Sequence, residues 1–140
     1  MVMSLLQDVL LFFHLIFLAA LLGGYFVSLT AKGLSNPVML WGGRLQLVVG
    51  LLLYGVLISR SSDLGFEVNH MIFGMKIVIA LVLVALIEIA TAGQRRAGQL
   101  VAAGPPSAGA GATAVAVVRA PLIYVAGVLA IINVILGMSA

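Results

Sequence analysis

Four apolar stretches, each long enough to cross a lipid bilayer as a helix, leave this chain few ways to fold. A helix needs about 20 residues to span a hydrocarbon layer of about 30 Å. The first stretch runs from about Leu5 to Leu29, broken only by Asp8, His14 and a few small or hydroxyl residues. The second runs from about Val38 to Ile58, and Asn36-Pro37 before it supplies an N-cap and a proline for the first helical turn. The third covers about His70 to Ala92, with Asn69 as its candidate cap, and the fourth about Pro121 to Met138. Pro121 fits a helix start better than a kink, although "AGATAVAVV" before it could carry the helix further back. Val9–Leu29 is longer than a secretory signal core and no charged segment precedes it, so it is expected to stay as a span.

Composition leads to the same class. The chain is 64% hydrophobic and 8% charged, with a mean hydropathy of +1.29. A soluble domain carries roughly a quarter charged residues. The expected fold is therefore all-α: a polytopic membrane protein, a four-transmembrane-helix bundle in one membrane domain over residues 1–140. Its partner is the lipid bilayer, and the net charge of +3 speaks to topology rather than to nucleic acid. Cysteine is absent, which excludes disulfides and thiolate metal sites.

The connections set the orientation. "TAKGLSN" is a short turn, "SRSSDLGFEVN" is polar and mixed in charge, and residues 93–118 read as a flexible Pro/Gly linker. Four spans put both termini on one side. Lys32, Arg44, Arg95, Arg96 and Arg119 gather toward the other side, while the termini side has Arg60 offset by Asp63 and Glu67. By the positive-inside rule the first and third loops face the cytoplasm and both termini lie outside a bacterial plasma membrane.

Polar residues within the spans are costly, so each requires a partner or a purpose. His14 lies roughly 13 Å in from the outer end of the first span, and Lys76 roughly 9 Å below His70 on the third. Tyr54 and Asn133 fall at comparable depth, whereas Arg44, Gln46 and Glu88 are expected in the inner half. At 100° per residue, Gln7, His14, Tyr25 and Ser28 share one stripe of the first helix, within about 60°. His70 and Lys76 are about 120° apart in phase, so only one of them is expected to meet His14. Ala19/Gly23 and Ala20/Gly24 are pairs of small residues suited to close helix contact, and Gly50 and Gly55 thin the second helix.

Two roles suit His14: ligation of a cofactor or proton handling, or a neutral imidazole hydrogen-bonded to Tyr25, Tyr54 or a backbone carbonyl. Lys76 either pairs with Asp8 or snorkels outward, or it recognises an anionic group such as a carboxylate. Arg44 and Glu88 are expected to form a structural ion pair. His70, Trp41, Phe66 and Tyr124 are expected at helix ends near the membrane interface. No phosphate-binding loop, no HExxH, no dinucleotide fingerprint and no other catalytic motif is present, and the six methionines are dispersed.

"FHLIFLAALLGGYFVS" and "HMIFGMKIVIALVLVALIE" resemble the first and third helices of two related groups of small membrane proteins. These are the HemJ-type protoporphyrinogen oxidase and the CopD-like copper-resistance membrane domain. The resemblance implies a four-helix architecture, haem b as the cofactor, and His14 and Lys76 as its binding residues, with Tyr54, Asn133 and Tyr25 as neighbours. In this chain "AALL" stands where the first group has a tryptophan before the glycines, and "YFVSLTAK" replaces its Leu-Pro-Arg stretch.

Three functional classes follow. The first is a non-catalytic accessory or assembly subunit of a larger membrane complex, such as a respiratory one; small size and minimal loops favour it, and its partners would be other membrane subunits or further copies. The second is a haem-binding redox protein or enzyme. The third is a component of a small oligomeric transporter or channel.

Overall fold

In the computed structural model of the chain, four helices follow one another with short connections. It describes residues 2–65, 67–103 and 108–138, giving the backbone alone for 100, 101, 103 and 108–119. The helices are α1 (Val2–Thr30), α2 (Pro37–Leu64), α3 (His70–Ala103) and α4 (Ala108–Met138). Segments Val2–Thr30, Pro37–Leu64, His70–Gln99 and Ala120–Met138 are each long and apolar enough to cross a membrane. Large apolar side chains such as Phe12, Leu15, Val78 and Ile135 are exposed around the exterior. A helix that is apolar on every face suits lipid and not water. The protein is a four-helix bundle of a multi-pass membrane type, with no strand among the described residues.

Several helix ends form where the sequence places them. Asn36 caps α2 by accepting from the Met39 amide at 2.9 Å, with Pro37 in the first turn. Asn69 caps α3 by accepting from Ile72 at 3.2 Å. Gly65 ends α2 in the left-handed region at φ 70°, where only glycine avoids a steric cost.

One expectation changes, and one point that the sequence leaves open is decided. The flexible linker expected over 93–118 is helical over 93–103, where alanine, glutamine and arginine are good helix formers, and over 108–118, where alanine recurs at every second position through Ala116. Helix α4 also starts before Pro121 and runs through it. That proline lacks an amide hydrogen, and membrane helices tolerate the loss when neighbouring groups satisfy the freed carbonyl. Phe66, expected as an interfacial anchor, lies outside the described residues.

The helices pair as two hairpins. α1 packs along α2, and α3 along α4; α2 and α3 meet less, and α1 and α4 least. The buried core joins Leu21 and Tyr25 of α1, Met39 and Leu40 of α2, Leu83, Ile87 and Ala90 of α3, and Ile123, Ala126 and Ala130 of α4. All these residues sit toward the α1–α2 loop, so that end is solid.

Glycine sets the α1–α2 spacing there. A Cβ on Gly24 would stand 2.6 Å from the Met39 nitrogen, and one on Gly42 2.6 Å from the Leu21 nitrogen. Backbones this close leave no space for a side chain. The pair Ala20/Gly24 thus makes the contact, whereas Ala19 and Gly23 face outward, with nothing within 4 Å of a Cβ at Gly23.

The α1–α2 loop is tied to both hairpins. Asn36 Nδ2 donates to the Gly24 carbonyl at 2.7 Å and to Ser28 Oγ at 3.2 Å. Gln94 of α3 accepts from the Ser35 amide at 2.8 Å and donates to the Gly33 carbonyl at 3.2 Å. Gly33 itself has φ 78°, and a Cβ there would meet Ala120.

Candidate functional site

At the other end, nearer the termini, the bundle is hollow. A cavity of about 400 Å³ lies between the hairpins, walled by leucines such as Leu11, Leu15, Leu18, Leu47 and Leu53. Each helix also contributes polar side chains to it: Gln7 and His14 from α1, Gln46 and Tyr54 from α2, Lys76 from α3 and Asn133 from α4.

His14 belongs to the α1 stripe whose positions Gln7, His14, Leu21 and Ser28 recur every seven residues, two helical turns, and face the bundle. Gly50 of α2 makes room for its ring, since a Cβ there would stand 3.3 Å from His14 Cε1. One turn earlier on α2, the Gln46 amide lies 2.8 Å from His14 Nε2. An amide nitrogen can only donate, so His14 Nε2 accepts and the imidazole proton is assigned to Nδ1.

That bond leaves His14 Nδ1 and Gln46 Oε1 buried without a hydrogen bond, and Asn133 Oδ1 is a third such atom. Turning the Gln46 amide over exchanges roles but leaves one atom of each partner unpaired. Buried polar atoms without partners cost about 1–3 kcal/mol each. Here three of them, from three helices, belong to residues lining one cavity.

Lys76 reaches the same cavity. Its Nζ is 5.3 Å from the Phe73 ring centroid and lies beside Gly137, where a Cβ would stand 3.1 Å away. The pairing with Asp8 is not made: among the described residues the one ion pair is Arg44–Glu88, at 2.5 Å. Asp8 is exposed on the outside of α1, away from the stripe that carries His14.

The termini-side rim is held by polar contacts. Arg60 donates to Gln7 Oε1, linking α1 to α2. The Tyr54 hydroxyl lies 2.8 Å from His70 Nδ1, and its ring stacks on Phe73 at 5.3 Å, linking α2 to α3. Of the two candidates on α3, then, Lys76 lines the cavity with His14 and exposed His70 pairs with Tyr54.

Tyr25 is not a neighbour of His14. It lies 11 residues along α1, about 17 Å by helical rise, buried with its ring against Gly127. Its phase is that of His14, but its depth is not.

Gln46 is the cavity residue that span-by-span reading misplaces. That reading aligns the start of α2 with the end of α1 and puts Gln46 in the cytoplasmic half. In the structure Met39 meets Gly24, Gly42 meets Leu21 and Gly50 meets His14, so α2 begins about one turn back along α1. The register raises Gln46 to His14. A glycine pattern on both helices, Gly24 against Gly42 and Gly50, carries that signal in the sequence.

On the bundle exterior toward the α1–α2 loop, the expected Arg44–Glu88 pair bridges α2 and α3 with side chains 41% and 38% exposed. The Arg44 guanidinium also sits 5.1 Å over the exposed Trp41 ring. Tyr124 is partly exposed on α4. No protein-family model, no curated protein and no solved structure matches this chain, so the chemistry of the site rests on its own geometry.

Proposed function

We propose that this chain is a multi-pass protein of a bacterial plasma membrane, termini outside, that holds a small molecule in the cavity between its two hairpins. One observation carries the reading: His14 Nδ1, Gln46 Oε1 and Asn133 Oδ1, buried and unpaired, belong to residues around one cavity of about 400 Å³. Small-molecule sites are concave, mostly apolar and dressed with a few convergent polar groups, at volumes of about 300–1,000 Å³. A bundle that needed only to fold would fill this space with leucine.

Haem b is the occupant that the resemblance to the HemJ-type and CopD-like proteins supplies. The residues fit it by donor chemistry. With the Gln46 amide turned so that its oxygen accepts from His14 Nε2–H, His14 Nδ1 would offer its lone pair to haem iron, and Lys76 would offer a cation for a propionate. A bound haem would supply one-electron redox chemistry. The chain's own part is to hold the imidazole plane with Gln46, to clear space for it at Gly50, and to exclude water with the leucine walls. Protein purified after haem supplementation should show a Soret band that His14→Ala loses. A colourless preparation sinks the haem reading.

A second reading, an accessory or assembly subunit of a larger membrane complex, is favoured by the half-exposed Arg44–Glu88 pair on an apolar exterior. Charges in a span face protein or water in preference to lipid. On this reading a partner helix covers the pair. Larger subunits should co-purify from native membranes with the wild type and be lost from Arg44→Met/Glu88→Met. A wild-type protein that purifies alone contradicts it.

A further inference from the structure

We propose that the molecule held in the cavity is an amphiphile carrying a carboxylate, bound at Lys76; this rests on the small-molecule reading of the site and adds the charge of its ligand. Lys76 lies six residues below the start of α3, about 9 Å by helical rise, within the apolar span His70–Gln99. A cation at such depth is held by water, a backbone carbonyl or a counter-charge. Among the described residues none of the four acids supplies one: Glu88 is taken by Arg44, Asp8 is exposed on α1, and Asp63 and Glu67 are exposed at the termini-side end of the bundle. The Phe73 ring at 5.3 Å is a weak substitute.

The space beside the ammonium is open because position 137 is glycine, 3.1 Å from Nζ at the place its Cβ would occupy. Asn133, one turn back on α4, lines the same cavity with an amide that makes no bond through its oxygen. Turned over, that amide presents N–H donors to a second carboxylate oxygen. Leu11, Leu15 and Leu18 then line the route for an apolar body. An ammonium, an amide and a leucine wall together select a carboxylate with an apolar body over a neutral lipid or a polar solute.

A carboxylate of this kind belongs either to a free fatty acid of the bilayer or to a tetrapyrrole propionate, and one experiment distinguishes them. Laurate, dodecanol, iron-free mesoporphyrin and its dimethyl ester are titrated into wild-type, Lys76→Met, Lys76→Arg and Ala80→Trp proteins in nanodiscs. Lys76→Met removes an intramembrane charge and therefore favours insertion. Laurate or mesoporphyrin should bind wild type about tenfold more tightly than its uncharged analogue, and Lys76→Met should abolish that preference while Lys76→Arg keeps it. The acid that shows this identifies the source. Acids and uncharged analogues that bind alike, or a preference that survives Lys76→Met, overturn the proposal. Ala80→Trp, which fills the cavity, tests the underlying reading separately: binding lost there but blind to charge leaves the site standing without its carboxylate.

Discussion

Adjacent glycines on α1 do opposite things, and the difference is measurable. Gly24 lets the α2 backbone through at Met39, whereas Gly23 has no neighbour within 4 Å of a Cβ. Gly24→Leu should cost about 1–3 kcal/mol through forced separation of α1 and α2. Gly23→Leu should stay within about 0.5 kcal/mol of wild type. Unfolding in mixed micelles read by the single tryptophan, Trp41, compares the two; equal effects would refute the backbone contact. At His14, Gln46→Leu strips the imidazole of its one partner and should cost about 1–3 kcal/mol. Adding His14→Phe should recover most of that loss, because an apolar pair leaves nothing unsatisfied. A silent Gln46→Leu would mean that the bond does not hold the ring.

At the scale of the helix, the four spans and two of their caps were legible in the sequence, since Asn36-Pro37 and Asn69 satisfy orphan amides that any helix start exposes. Less was legible about the register between helices. Hydropathy gives the length of a span but not where its partner begins, and the start of α2 is set by contacts at Gly24 and Gly42. That shift brings Gln46 to His14, whereas Tyr25, which shares the phase of His14, is kept from the site by its depth, 11 residues further along α1. The end of α3 was likewise hidden, because small residues that read as a linker also form helix when a neighbouring helix lies alongside. Gln94 now has a role, holding the α1–α2 loop through Ser35 and Gly33. Gln94→Ala removes both bonds and should cost about 1–3 kcal/mol. It should also raise hydrogen exchange at residues 33–36 with α1 itself unaffected, and unchanged exchange would show that the loop holds without α3.

Taken whole, the molecule is solid at the α1–α2 loop end and hollow at the end nearer its termini. The solid end fixes two hairpins against each other, and the hollow end offers His14, Gln46, Lys76 and Asn133 around one space. The absence of cysteine makes sidedness simple to read. In intact cells an impermeant thiol reagent should label Asp63→Cys directly and Gln99→Cys after permeabilisation only. The reverse pattern would invert the orientation derived from the loop charges. The claim that the hollow exists to hold a ligand is tested most directly by native mass spectrometry of protein extracted gently from its own membranes, wild type beside Ala80→Trp. The account expects a non-covalent small-molecule adduct on the wild type that is missing from Ala80→Trp. Two proteins that fly as bare chains, or that carry the same adducts, would contradict it.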